Sequence, residues 1–191
     1  EILKCRLCGS PSLTEVLNYG MMPPAGGFAR IGDYRLNLKE HLSLVRCLKC
    51  SLMQTGQSID SDSIFRNYSY RSSVSNDLKY HFKKLANHLT SAWSARYNCV
   101  CVDIGCNDGI LINSLIELGC EKVIGIDPSD VALDASKEYG WDLINSYMNK
   151  ETASLFVAKY GKAKLVTASN VLAHTDDIHG FMEGVRNILD D

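Results

Sequence analysis

Two features of this chain have residue types and spacing that could do chemistry: the Cys-x-x-Cys pairs Cys5/Cys8 and Cys47/Cys50, and a strand running into a glycine turn, Val100-Cys101-Val102-Asp103-Ile104-Gly105-Cys106-Asn107-Asp108-Gly109. Thiolates at the Cys-x-x-Cys spacing both turn inward on one tight knuckle, and two knuckles place four soft ligands tetrahedrally around Zn²⁺. Thirty-eight residues separate Cys8 from Cys47, a longer loop than most zinc fingers carry. The competing reading is two structural thiol pairs or a redox site, and the repeat of the spacing favours zinc over both. With sulfur in all four positions no coordination position is left for water, so the expected metal is structural. Cys99, Cys101, Cys106 and Cys120 lack the spacing and read as small buried apolar residues.

In the turn, Gly105 allows a sharp reversal that brings backbone N–H groups close to a ligand, and Gly109 permits close packing of the helix that follows. Asp127 lies twenty-two residues after Gly105, at the end of the second strand. A carboxylate there can accept hydrogen bonds from two ribose hydroxyls, so an adenosine ligand is expected, with Pro128 beside it. A pyrophosphate site would use Gly-x-Gly-x-x-Gly, whereas this turn carries Asn107 and Asp108 before Gly109. Its acidity repels phosphate. Asp103 and Asp108 suit a cationic ligand with an amino group and a sulfonium centre, which describes S-adenosylmethionine. The competing reading is an ordinary strand-to-helix turn.

These residues need a scaffold, and the chain supplies one in three parts. Residues 1–57 are turn-rich, with strand-like pieces at Leu13 to Leu17, His41 to Arg46 and Leu52 to Thr55, a zinc-ribbon layout stapled by metal. Residues 58–97 read as a linker with a short helix from Asp62 to Asn67, then a packing helix from Ser75 to Trp93 whose stripe is Leu78, Phe82, Leu85 and Leu89. Residues 98–191 alternate strand and helix. The strands are Cys99 to Ile104, Lys122 to Asp127, Asp142 to Asn145 and Leu165 to Ser169. The helices are Ile110 to Leu118, Asp130 to Tyr139, Lys150 to Tyr160 and Ile178 to Leu189. This is the pattern of a parallel Rossmann-like α/β sheet covered on both faces. Such a sheet seldom ends at four strands, so a further half is expected beyond this segment.

Composition excludes several classes. In 191 residues, 46% hydrophobic and 22% charged, there is room for one ordinary domain and a small accessory one. Twenty Lys+Arg against twenty-two Asp+Glu, with no dense basic run, disfavour a nucleic-acid surface. Charges interrupt the apolar stretches, so no membrane span is expected. Eight cysteines, four of them at knuckle spacing, suit a reducing, cytoplasmic setting.

The order of Cys5-x-x-Cys8, Cys47-x-x-Cys50, Phe65-x-x-Tyr68-x-Tyr70-x-Ser72-Ser73-x-Ser75, Asp103-x-Gly105-x-Asn107-Asp108-Gly109 and Asn170-Val171-Leu172-Ala173-His174 resembles the sugar C-methyltransferases. The resemblance implies a class I methyltransferase fold behind a zinc module, and S-adenosylmethionine as methyl donor. It implies as substrate a deoxy-4-ketohexose carried on a nucleotide diphosphate. Members of that family continue into a second half that completes the sheet and supplies further catalytic residues, so this segment alone is expected to be inactive.

The remaining candidates concern that chemistry. A ketone at C4 acidifies the C3–H bond, so a base can form an enolate whose carbon attacks a methyl group. His174, beyond the last strand, can take a proton or polarise the keto oxygen as neutral imidazole, or can simply bond Asp176 or Asp177 at a helix entry. The resemblance favours the site, in a supporting role, with Asn170 one turn earlier on the cofactor side. Tyr68 and Tyr70 can position the enolate oxygen or the methyl group, or pack the linker. Ser72, Ser73 and Ser75, with Lys79 and His81, are candidates to bind the diphosphate at a helix N-terminus, with ordinary capping as the alternative for Ser75. Tyr147 and Met148 can flank the adenine or fill the core. Two rival functions stay open: an O- or N-methyltransferase whose zinc module serves as a lid, and a non-catalytic zinc- and cofactor-binding remnant.

Overall fold

A computed structural model describes residues 2–23, 39–66, 69–93 and 99–190. The chain divides into two compact units, one of residues 1–66 with 176–178, the other of residues 67–175 with 179–191.

The first unit holds a three-stranded antiparallel sheet of β1 (Leu13–Met22), β2 (Glu40–Cys47) and β3 (Met53–Thr55) in that order, and a short helix α1 (Ser61–Phe65). The sequence places breakers at Asn18-Tyr19-Gly20, but β1 runs through them. The Asn18 side-chain oxygen accepts from the Gly20 N–H at 2.9 Å, and Gly20 takes φ 70°. The register against β2 slips between Glu15 and Leu17 and again between Asn18 and Gly20. Two bulges absorb residues that would otherwise end the strand. Most of β1 is exposed, so the hold on this unit comes from the cysteine end of the sheet.

The second unit opens with α2 (Asn76–Trp93) and continues with β4 (Val100–Ile104), α3 (Ile110–Glu117), β5 (Lys122–Ile126), α4 (Asp130–Tyr139), β6 (Asp142–Ile144), α5 (Lys150–Tyr160), β7 (Leu165–Thr167) and α6 (Ile178–Ile188). The four strands are parallel, in the order β6-β5-β4-β7. Alternation along β4 feeds two cores. Cys101 faces a cluster with Ala86, Leu111, Ile112, Leu115, Ala132 and Trp141, on which Phe82, Leu85 and Leu89 of α2 pack. Val102 and Ile104 face Ile124, Ile126, Phe156, Phe181 and Ile188 on the other side. The sheet is therefore buried on both faces, as a parallel sheet requires.

The chain leaves β4 toward β5 and β6 on one side, then crosses back to place β7 on the other. The order reverses between β4 and β7, and ligands of such sheets bind beyond the strand ends at that reversal. The glycine turn after β4 and the loop after β7 meet there. A Cβ on Gly105 would lie 2.3 Å from Val171 Cγ2.

Candidate active site and metal centre

The metal centre is built from two equivalent knuckles. In each, the N–H four residues after the first cysteine donates to that cysteine's carbonyl at 2.9 Å, from Gly9 to Cys5 and from Ser51 to Cys47. Both closing residues are left-handed, Gly9 at φ 69° and Ser51 at φ 65°. The Cys5 and Cys47 N–H groups donate in turn to Ser10 and Leu52. Glycine announces the first of these turns in the sequence; serine hides the second.

The four Sγ atoms lie within 4.8 Å of one another, with Cys5 to Cys50 and Cys8 to Cys47 each at 3.6 Å. A disulfide would bring a pair to about 2.05 Å. Sulfurs 2.3 Å from a tetrahedral Zn²⁺ stand about 3.8 Å apart, which these separations match. The Cys50 main-chain N–H draws the Cys47 thiol down to about 6, the direction of a thiolate ligand. At Cys50 the Leu52 N–H pulls downward, but burial and the neighbouring sulfurs push the thiol up to about 12. Four sulfurs this close cannot all ionise alone, and a divalent cation at their centre removes the conflict.

The glycine turn is a second built site. Gly105, Asn107 and Gly109 all adopt left-handed backbone, at φ 70°, 51° and 74°. The Gly105 N–H donates to the Ile126 carbonyl at 2.7 Å, tying the turn to β5. Asp127 accepts from the Asn107 N–H on Oδ2 at 2.9 Å and from the Ser129 N–H on Oδ1 at 2.8 Å. Asn145 fixes the same corner by donating to the Asp127 and Ser129 carbonyls. An ionised carboxylate offers about four lone-pair sites, so two remain for a pair of hydroxyls.

Asp103 is 5% exposed and accepts from the Thr167 hydroxyl of β7 at 2.7 Å. Burial pushes its carboxyl up to about 7; the Thr167 bond opposes this and the Asp127 charge adds to it. Burial also drives the Cys106 thiol well above its usual range, with Asp103 and Asp127 contributing. Asp108 is buried and accepts from the Ser73 N–H at 3.0 Å on Oδ2, while its Oδ1 meets no partner. A buried acceptor without a donor costs about 1–3 kcal/mol. The Asp127 and Asp108 carboxylates, the latter with an orphaned acceptor oxygen, favour donors and cations over phosphate at this turn, while the Asp103 carboxyl, pushed up to about 7, carries only part of a negative charge at neutral pH.

The other candidates fall in different places. Pro128 is half-buried beside Asp127. Tyr147 is half-buried, and its carbonyl accepts from the Thr152 hydroxyl. Met148 is packed in the core with Phe156 and Phe181, as the second of its two sequence readings expects. Asn170, at φ 58°, is exposed on the loop after β7, and His174 ends a 3₁₀ turn, Leu172–His174, on the same loop. Tyr70 is 48% exposed, and its carbonyl accepts from Asn107 Nδ2. Tyr68 lies outside the described residues.

The expected diphosphate site is revised. Ser72 and Ser73 belong to a 3₁₀ turn, Ser72–Val74, whose N–H groups are taken by Asn107 Oδ1 and Asp108 Oδ2, so neither is offered to a phosphate. Ser75 caps α2, accepting from the Leu78 N–H. Lys79 and His81 are exposed on α2. Sequence reasoning missed Ser129, which caps α4 by accepting from the Ala132 N–H and which a serine before a helix announces. It also missed Thr167, which carries no local signal.

Comparison with known proteins bears on both sites. A family model described as "Putative zinc binding domain" matches residues 5–65, and one described as "Methyltransferase domain" matches residues 102–191. The chain is 27% identical over 189 residues to C-methyltransferase NovU of Streptomyces niveus, a match covering 97% of this chain and 44% of NovU. It thus spans less than half the length of that relative. The solved structures it is similar to include the magnesium protoporphyrin IX methyltransferase ChlM from Synechocystis PCC 6803 with bound SAM, at TM-score 0.47 and 17% identity over 59% of this chain and 54% of that one. Another is the plantazolicin methyltransferase BpumL in complex with SAH, at TM-score 0.47 and 16% identity over 59% and 44%. A zinc-binding module ahead of a methyltransferase domain is the order that the resemblance to C-methyltransferases implied. Among the described residues no helix is long and apolar enough to cross a membrane.

Proposed function

We propose that this chain is the cofactor-binding portion of a C-methyltransferase acting on a nucleotide-linked 4-keto-deoxysugar. The observation that carries the reading is the acidic glycine turn at the strand reversal, where Asp127 keeps two lone-pair sites beside the buried Asp103 and Asp108. The match to a relative named a C-methyltransferase supports carbon as the acceptor.

Bound S-adenosylmethionine supplies an activated methyl group. Asp127 holds the ribose, and the orphaned Asp108 Oδ1 and the carboxyl of Asp103 face the cationic portion. Gly105, Asn107 and Gly109 shape the loop that receives it, with Pro128, Tyr147 and Asn170 at its edges. His174, on the loop after β7, holds or moves a proton at the sugar's keto oxygen, and Tyr70 positions the same oxygen. Lys79 and His81 offer cationic charge to the diphosphate from α2.

The test is calorimetric titration of the 191-residue chain with S-adenosylhomocysteine beside an Asp127→Ala control, then assay of the longer protein on a nucleotide 4-ketosugar and its 4-alcohol. Saturable binding lost in the control, with methyl transfer to the ketone alone, supports the proposal. Equal transfer to the alcohol removes the enolate route, and a folded, zinc-loaded chain that binds nothing removes the cofactor reading.

A further inference from the structure

Within the turn from Gly105 to Gly109, left-handed backbone is required at three positions, and only the middle one is not glycine. Asparagine tolerates this conformation better than most residues, but glycine would adopt it without strain. What the asparagine adds is seen in its bonds. Its Nδ2 donates to the Tyr70 carbonyl at 2.9 Å and its Oδ1 accepts from the Ser72 N–H at 3.0 Å. Asp108 Oδ2 continues the series by accepting from the Ser73 N–H at 3.0 Å. Three bonds therefore run from two adjacent side chains of the turn to one short segment, 35 to 37 positions earlier in the chain.

The segment's own 3₁₀ turn is loosely bonded. The bonds of its 3₁₀ turn, from Val74 N–H to Arg71 and from Ser75 N–H to Ser72, are both 3.3 Å long, and Tyr70 and Val74 are exposed. Asn107 has a second attachment, because its backbone N–H donates to Asp127 Oδ2. One residue in a restricted conformation thus bonds the carboxylate with its backbone and the segment with its side chain.

We propose that Asn107, with Asp108 beside it, is a positioning residue that straps the Tyr70–Ser73 segment to the cofactor turn, so that ordering of the segment and occupation of Asp127 are one coupled equilibrium. The coupling rests on the reading of Asp127 as the ribose carboxylate. A ligand that draws on Asp127 fixes the backbone of Asn107 and thereby aims both of its side-chain bonds. An ordered segment does the reverse, restricting the turn before the ligand arrives. Linkage makes the two effects equal in size.

The experiment is amide hydrogen exchange of the 191-residue chain, free and with saturating S-adenosylhomocysteine, in wild type, Asn107→Gly and Asn107→Asp. Glycine suits the left-handed position, so the first variant keeps the turn. Without ligand, Ser72 is expected to lose about tenfold in protection in Asn107→Gly, equivalent to about 1.4 kcal/mol, while Val102 in β4 is unchanged. Asn107→Asp keeps the acceptor for Ser72 but loses the donor to Tyr70, and should fall between the two. Ligand should raise Ser72 protection relative to Val102 in wild type and not in Asn107→Gly, with affinity in that variant about tenfold weaker.

Unchanged Ser72 exchange in Asn107→Gly overturns the strap. A ligand-induced gain equal in wild type and variant overturns the coupling. Failure of the cofactor reading is recognised separately: wild type then binds no ligand and the coupling falls with it, while the ligand-free comparison still decides the strap.

Discussion

Replacing Gly105 by alanine places a methyl group 2.3 Å from Val171 Cγ2, with the Cβ and Cγ1 of that valine at 3.5 and 3.6 Å. Two costs follow. Alanine at φ 70° pays for left-handed backbone, roughly 1–2 kcal/mol. The crowding adds about 1–3 kcal/mol, because a valine is stiff about χ1 and cannot swing its methyl away without moving the loop. The sum is about 2–5 kcal/mol. Val171→Ala alone removes two half-buried methyls and should cost about 1 kcal/mol. In the double variant the crowding disappears and the backbone cost stays, so the two changes should couple by about 1–3 kcal/mol. Urea unfolding followed by tryptophan fluorescence reads this out, since Trp93 and Trp141 both belong to residues 67–175. With a slope of about 2 kcal/mol per molar, the Gly105→Ala midpoint should fall by roughly 1–2.5 M, and adding Val171→Ala should leave it level or raise it by up to about 1 M, where additivity predicts a further fall of about 0.5 M. Additive effects within about 0.3 kcal/mol would refute the reasoning, because the loop after β7 would then not cover the turn.

Two further perturbations probe the buried carboxyl and the metal. Asp103 has a folded-state pKa of about 7 against 3.8 for the free group, so the folded state binds more protons between these values and stability falls as pH rises from about 4 to 7. The three-unit difference corresponds to about 4 kcal/mol. Asp103→Asn should flatten the curve over that window, and wild-type and variant curves that run parallel would show that the carboxyl is not held protonated. Cys47→Ser should abolish binding of one zinc per chain, measured by a chromophoric chelator, and unfold the 1–66 unit while the tryptophan-monitored transition is retained. Stoichiometric zinc in that variant would remove the four-cysteine assignment.

The regular elements were legible because their signals are local. Strand and helix alternation from residue 98 onward gives every strand and helix of the sheet within two residues, and the stripe of Phe82, Leu85 and Leu89 marks the buried side of α2. The cysteine spacing located the metal ligands for the same reason. What sequence could not show depends on distant pairs. Asn107 and Asp108 read as a phosphate-repelling turn, but their bonds to residues 70–73 join positions 35 to 37 apart that share no periodicity. Those bonds occupy the serine N–H groups that a helix-terminus reading would give to a diphosphate. Met148 illustrates a different limit, since an apolar residue after a strand suits a ligand or a core equally until the packing of α5 and α6 decides.

The bond from Thr167 to Asp103 has a consequence in time. It spans 64 positions, whereas β4, β5 and β6 are joined by successive neighbouring crossovers. A chain emerging from the ribosome meets β4, β5 and β6 first and must wait for β7 before Asp103 gains the Thr167 bond and Val171 reaches Gly105. Non-local contacts of this kind close late, after the loop entropy between them has been overcome. The turn can bond to Ile126 and Asp127 as soon as β5 is in place, but its cover by Val171 waits for β7, so its assembly is split between an early local step and a later non-local one.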